Sequence, residues 1–370
     1  MQRGGDPPEN SCERGCAPVA SAGPRRARVA PARSFPAIVS ELTVIIPTRD
    51  RAPTLARCLD ALTTQRLDGE VQVIVVDDGS GDRTWAVLAQ YPVVQAIHQS
   101  SRGGPAALNA GVAHATAPVV MFLDDDAIAT PGLLQRHIDF HRARPDSHEA
   151  LVGPVTWAPQ LEVSHHMAWL EDGGPLFAFN LIRDPDDVDW RHFCTANASV
   201  KQELLGPDPF DEALERFNDA ELGYRLARRG MRLHYDASAV VHHWRVDTPE
   251  STGRRMRVVG RAARMMHLKH PDIAEPPPPF RRSAPVRAAL ARAAAPILPD
   301  PIRPPVLERL YSYEAARAYA RGYAEQERAL RSGGAPPSAS ARRVPGERAR
   351  PRRARRARLR GPGGRKAVSS

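Results

Sequence analysis

Three carboxylates in a row close one apolar segment of this 370-residue chain: "VMFLDDDA", with Asp124, Asp125 and Asp126. Adjacent like charges repel, and an extended chain sends alternate side chains to the same side, so Asp124 and Asp126 can converge on one ligand. A hard divalent cation, Mg2+ or Mn2+, suits two such oxygens and keeps positions open for phosphate. A charged turn is the competing explanation; the position after an apolar strand favours the metal. A second acid pair ends "VIVVDDGS". There Asp78 could accept a hydrogen bond from a nucleotide base or ribose, or form an Asx turn capping the next helix. The third candidate is Asp219 in "FNDAELGYRL". Asn218 and Glu221 are spaced as the N-cap and N3 of a capping box, and Gly230 marks the C-terminal stop. Asp219 would then stand at N1, free of capping, and the helix's positive end would lower its pKa and keep it ionised.

These residues need elements to position them. "ELTVIIPTRD" reads as a buried strand, Val44 to Ile46, stopped by Pro47. "TLARCLDALTTQ" carries Leu55, Cys58, Leu59 and Leu62 at helical spacing. "VQVIVV" is a second buried strand, "RTWAVLAQY" a helix, "VVQAIH" a strand, "GGPAALNAGVAHA" a helix opened by two glycines, and "PVVMFL" a further strand. Apolar strands alternating with helices predict a mostly parallel sheet covered on both faces, with ligands at the carboxyl ends of the strands. Farther on, "LHYDASAVVHHW" reads as a strand pair, and residues 254–270 as a basic amphipathic helix stopped by Pro271. His137 and His141, one helical turn apart with no Glu between them, read as a helix face. Trp157, Trp169, Phe177, Phe179 and Trp190 fall in the loop region 156–192, where they would stack on sugar rings or belong to the core.

The net charge of +10 is concentrated in one segment. From Arg342 onward there are eleven Arg and one Lys against one Glu, so the tail carries 12 − 1 = +11 and the remainder 10 − 11 = −1. Residues 1–40 and 333–370 read as disordered, residues 41–270 as the main domain, and residues 271–332 as a Pro/Ala/Arg-rich helical extension. The tail is either a solvated run or a contact for acidic lipid headgroups. Its lack of aromatic residues argues against nucleic-acid binding. Cys12, Cys16, Cys58 and Cys194 have neither zinc spacing nor a disulfide framework, and the first residues lack an apolar core for a signal peptide. No run reaches about 18 apolar residues, so no transmembrane span is expected. A cytoplasmic protein follows, with peripheral contact at the inner membrane face as the role of helix 254–270 and the tail. A P-loop and a G-x-G-x-x-G fingerprint are both absent.

Taken in order, "VIIPTRDR", "VIVVDDGSGDRT", "RGGPAALNAG", "VMFLDDD", "TANASVKQELL" with "FNDAELGYRLARRG", and "AVVHH" resemble the family-2 glycosyltransferases of the GT-A fold, over roughly residues 41–270. The resemblance implies an α/β, Rossmann-like, mostly parallel sheet flanked by helices. It implies that Asp124 and Asp126 hold Mn2+ or Mg2+, with His242 completing the set and His243 as the alternative. Pro47, Thr48, Asp50, Asp78, Gly104 and Asp125 would contact the nucleotide. Asp219 would be the general base of a single displacement with inversion, moving a sugar from a UDP-, dTDP- or GDP-linked donor to a glycan or lipid-linked acceptor. Two positions depart from the family pattern. Asn218 replaces the first acid of the usual Glu-Asp pair, and Leu108 stands where an Arg often precedes the Asn. A sugar-nucleotide nucleotidylyltransferase is the alternative enzyme, but "PTRDRAPT" has no Gly-rich pyrophosphate loop. A non-catalytic binding protein with a basic tail is the alternative outside catalysis.

Overall fold

The computed structural model describes residues 40–332, apart from 173, 177, 274–275 and 279–283. The lead with Cys12 and Cys16, the Arg-rich tail and Phe177 lie outside the described residues. In chain order the first half runs β1 (Leu42–Thr48), α1 (Ala52–Thr63), β2 (Val71–Asp77), α2 (Thr84–Leu88), β3 (Val94–His98), α3 (Gly104–Ala113), β4 (Val119–Leu123) and β5 (Ala127–Ala129). Then come α4 (Leu133–Ala143), β6 (Glu149–Val152), β7 (Val155–Trp157), α5 (His165–Glu171), β8 (Asn197–Lys201), α6 (Gln202–Leu205), α7 (Asn218–Arg228), β9 (Arg232–Tyr235) and β10 (Val241–His243). Three helices close the described chain: α8 (Pro249–Lys269), α9 (Ala284–Ala294) and α10 (Arg303–Arg331).

Seven strands form one sheet in the order β3-β2-β1-β4-β8-β6-β9. Only β8 runs against its neighbours. This is the mostly parallel, helix-flanked sheet expected from the alternation of apolar strands and helices. Alternation along β1 explains its two-sided cover. Leu42, Val44 and Ile46 face the core shared with Leu55 and Leu59 of α1. Ile45 faces the opposite core with Leu108 and Val112 of α3.

Two expectations about strands change. Pro47 does not stop β1, which runs on to Thr48 with Pro47 opposite Val76. β4 pairs with β1 only over Leu42–Ile45, so Pro47 lies where the strand has one neighbour, and there a missing N–H is tolerated. The segment read as a strand pair divides between sheets. β9 joins β6 in the large sheet, while β10 sits between β5 and β7 in a three-stranded sheet.

The basic helix starts earlier than expected. Thr248 caps α8, and Thr248 and Ser251 form a reciprocal capping box. α8 crosses α10 at two glycines: a Cβ on Gly260 would lie 2.0 Å from the Tyr319 carbonyl oxygen, and one on Gly322 1.8 Å from that of Arg257. Only glycine permits so close an approach. Ala262, Ala263 and Met266 of α8 are buried. Among the described residues, Cys58 and Cys194 are free thiols, and no helix is long and apolar enough to cross a membrane.

Candidate active site

β4 ends at Leu123, and Asp124–Asp126 form the turn into β5. The backbone of β10 closes on that turn: Ala127 pairs with His243, and the Trp244 amide donates to the Asp126 carbonyl at 2.7 Å. This pairing carries His243 to the acids. Its Nε2 lies 3.5 Å from Asp124 Oδ2 and 3.6 Å from Asp126 Oδ1. Neighbouring strand residues point opposite ways, so His242 faces elsewhere and its Nδ1 meets Thr156 Oγ1 at 2.8 Å. The residue beside the acid pair is therefore His243, the alternative, and not His242.

Asp124, Asp126 and His243 offer ligand atoms all within 4.8 Å of one another. Asp126 and His243 are buried, whereas 38% of the Asp124 side chain is open to solvent. Asp126 Oδ1 is buried yet has no hydrogen-bond partner. A buried carboxylate oxygen without a donor is costly. Two hard oxygens and one imidazole nitrogen suit Mg2+ or Mn2+ in donor type, so the residues present fit such an ion.

Asp125, between them, is turned into the protein. Thr48 Oγ1 donates to its Oδ2 at 2.7 Å, and Arg51 donates to its Oδ1 at 2.8 Å. The same Arg51 nitrogen reaches Asp126 Oδ2 at 3.0 Å. Burial pushes the Asp125 carboxyl up to about 6, aided by the charges of Asp126 and Asp124 and opposed by Arg51 and Thr48. Burial also opposes ionisation of Asp124, but the His243 ring and the charges of Arg245 and Arg51 outweigh it and hold that carboxyl below its ordinary range.

Sequence reasoning missed Arg51 and Arg245, whose guanidinium lies 3.7 Å from Asp126. Both had a readable signal. Arg51 follows a strand end, and Arg245 stands two residues beyond His243, on the same side of an extended chain.

The remaining nucleotide-contact candidates line the same edge of the sheet. Asp78 is 4% exposed and accepts from Gln99 Nε2 at 2.7 Å, the Arg102 amide at 2.7 Å and the Gly103 amide at 2.9 Å. Asp50 adopts a left-handed backbone, φ 53°. It clips two loops together, since its amide donates to Ser80 Oγ at 2.9 Å and its Oδ1 accepts from the Gly81 amide at 2.7 Å. Gly104 opens α3, and a Cβ there would meet nothing within 4 Å.

Asp219 lies in the first turn of α7, but the capping box around it does not form. Phe217, at φ 63°, is the N-cap, Asn218 is already helical, and no side chain caps the helix. The Glu221 amide donates to the Phe217 carbonyl at 2.8 Å. The Glu221 carboxylate instead pairs with Arg225 at 2.7 Å and His270 at 3.1 Å. Asp219 Oδ1 accepts from the Ala220 amide at 2.8 Å. The expected lowering of its pKa is reversed. Burial raises it, the charge of Asp124 raises it further, and the Ala220 amide and Arg216 offset only part.

The loop aromatics have partners within the fold. Trp157 is buried and donates to the Met167 carbonyl at 2.8 Å. Trp169 packs 5.5 Å from Tyr311, Phe179 stacks 6.0 Å from Tyr235, and Trp190 meets Tyr224 edge-on at 5.4 Å. His137 and His141 share Ser199 Oγ, each at 2.8 Å, as a buried structural pair.

Comparison with known proteins bears on the family. Residues 43–203 match Glycosyl transferase family 2. The pre-mycofactocin glycosyltransferase of Mycobacterium tuberculosis (strain ATCC 25618 / H37Rv) is 27% identical over 254 residues, covering 64% of this chain and 49% of that protein. Validoxylamine A glucosyltransferase of Streptomyces hygroscopicus subsp. limoneus is 28% identical over 257 residues, covering 61% and 55%. The chain thus spans about half the length of these relatives. Among solved structures, the mannosyltransferase PcManGT from Pyrobaculum calidifontis, in complex with GDP-Man and Mn2+, is 20% identical with a TM-score of 0.44, covering 80% of this chain and 76% of that one. S. aureus TarS 1-349 in complex with UDP is 16% identical with a TM-score of 0.45, covering 79% and 92%.

Proposed function

We propose, from the premise that this chain belongs to the family-2 glycosyltransferases through residues 43–203, that it moves a sugar from a nucleoside-diphosphate donor to an acceptor hydroxyl with inversion. The observation that carries the reading is the meeting of Asp124, Asp126 and His243 around a buried Asp126 oxygen that has no hydrogen-bond partner. These three would hold a divalent cation, whose chemistry when bound is to neutralise charge on a leaving diphosphate.

The chain's own residues account for the rest. Arg51 and Arg245, already against Asp126, supply positive charge next to the same place. They are candidates to replace the Arg that Leu108 displaces. Asp219 takes the proton from the acceptor hydroxyl as that oxygen attacks, a role worth typically about 10²–10⁴-fold. Its raised pKa makes it a stronger base than an ordinary carboxylate. A base on the acceptor side needs no second carboxylate as covalent nucleophile, which gives single displacement. The acceptor is a glycan or lipid-linked glycan hydroxyl, in polysaccharide or glycolipid synthesis.

The test is incubation with UDP-, dTDP- and GDP-sugars and Mn2+, read by nucleoside-diphosphate release. Release that disappears in Asp219→Asn when an acceptor is supplied supports the reading. Pyrophosphate release from a nucleoside triphosphate would replace it with nucleotidylyl transfer. No turnover on any donor would leave a binding protein.

A further inference from the structure

α9 is built inside out. Its small residue Ala288 is buried, as is Ala295 in the 3-10 turn Ala295–Ile297 that follows, on the side where α9 and the turn pack against α10. Its large residues face outward: Val286 is 61% exposed, Leu290 65%, Ile297 83% and, just beyond, Ile302 53%. Val286 and Leu290 stand one turn apart on α9, Ile297 lies in the 3-10 turn that follows, and Ile302 is the N-cap of α10. A water-facing helix places its apolar residues the other way round. Scattered exposed aliphatics need no explanation, but four of them within residues 286–302 do.

The charges beside the ridge name its occupant. Residues 284–303 contain Arg287, Arg292 and Arg303 against Asp300, and Arg292 is paired with Glu314 of α10, which leaves a net of 3 − 2 = +1. α9 itself has no acid. A second copy of this chain docked ridge to ridge would bring like charges together, which is unfavourable. A bilayer with anionic headgroups accepts both parts, the aliphatic ridge at the acyl boundary and the arginines among phosphates. α8, the helix read from sequence as the membrane contact, has its small residues buried and crosses α10 closely. α9 leaves its large residues open.

We propose that the α9 ridge, Val286, Leu290, Ile297 and Ile302, is an interfacial anchor that inserts into an anionic membrane surface. It stands whether or not sugar transfer is detected.

The experiment is flotation of the full chain with phosphatidylcholine vesicles, with and without phosphatidylglycerol. Thermal melts confirm folding, and light scattering reports oligomeric state. The parent should float with the anionic vesicles. Leu290→Asp with Ile297→Asp should reduce that partitioning at least about tenfold, because two aliphatic side chains no longer leave water. Val93→Asp, at an exposed valine outside the ridge (74% exposed), should not. Undiminished flotation of the double variant overturns the proposal and assigns binding to another segment. So does equal flotation on neutral vesicles, no flotation of the parent, or a parent dimer that the double variant dissolves.

Discussion

Two strand ends of the large sheet carry adjacent acids and use them differently. After β2, Asp77 and Asp78 are saturated from within. Ser80, Trp85 and His98 serve Asp77, and Gln99, Arg102 and Gly103 serve Asp78. Burial opposes ionisation of Asp77, yet those hydrogen bonds hold its carboxyl below the ordinary range. After β4, the middle acid is satisfied by Thr48 and Arg51, while Asp126 keeps a buried oxygen with no hydrogen-bond partner. The same sequence pattern thus builds a loop at one strand end and leaves a buried carboxylate oxygen without a hydrogen-bond donor at the other. A satisfied carboxylate should matter to stability, and an unsatisfied one to activity.

The largest effect should come from breaking the β4 end. Asp126→Asn should lower kcat/KM by about 10³-fold or more, since several kcal/mol of charge stabilisation at the leaving group would go with it. Melting should change little, because the lost carboxylate also repelled its neighbours. His243→Ala should follow it in weakening Mn2+ binding by calorimetric titration, whereas His242→Ala should not. Equal metal affinity in Asp126→Asn and the parent would remove the contrast between the strand ends.

A second measurement concerns two buried histidines that share the Ser199 hydroxyl. Burial lowers the His137 pKa to about 4, against smaller opposing effects of Asn197 and Asp236. It lowers His141 to about 2, with Lys201 and His137 adding to the effect. Between about pH 6.5 and pH 4 the unfolded chain takes up a proton at His137 that the folded chain refuses. Stability is therefore complete above about pH 6.5 and falls on acidification, by about 3 kcal/mol for His137 by pH 4. Denaturant melts across that range should show the loss, and His137→Asn should flatten it. An unchanged slope would mean that the pair is already protonated in the fold.

At the β2 end, Asp78→Asn should cost about 1–3 kcal/mol, because an amide nitrogen would face main-chain donors that now reach a carboxylate. Donor affinity should change less than stability, read by nucleotide titration beside urea melts. If the variant is as stable as the parent but no longer binds nucleotide, Asp78 belongs with Asp126, and the comparison reduces to one kind of strand end.

What could be read in advance follows from the range of the forces involved. β1, β2 and β4 are unbroken apolar runs because both sheet faces are covered, and burial on both faces is written in the residues themselves. The acids were visible for the same reason, being abrupt charges after such runs. The choice of His243 over His242 was not visible. It depends on whether β10 pairs with β5 and β7 or with β9, and nothing between Asp236 and Val240 announces a change of sheet. The ties of Asp78 were hidden too, since Arg102 and Gly103 reach it from the loop after β3. Arg51 and Arg245 were overlooked although their spacing from a strand end and from His243 was in view.

The smallest effect belongs to Asn218. A capping role would make Asn218→Ala cost about 0.5–2 kcal/mol. In the fold, Phe217 occupies the cap in a left-handed conformation uncommon for a bulky residue, which no local signal foretells. Asn218 lies one residue inside the helix, where alanine is the better helix former. Asn218→Ala should therefore stay within about 0.5 kcal/mol of the parent in urea melts. Glu221, the other half of the expected box, is 3% exposed and tied to Arg225 and His270. Removing one partner from a buried pair leaves charge uncompensated, so Glu221→Ala should cost several times more than Asn218→Ala. If Asn218→Ala instead costs more than about 1 kcal/mol, the cap has moved from Phe217 to Asn218 in solution, and Asp219 stands one position nearer the helix end than the fold described here gives it.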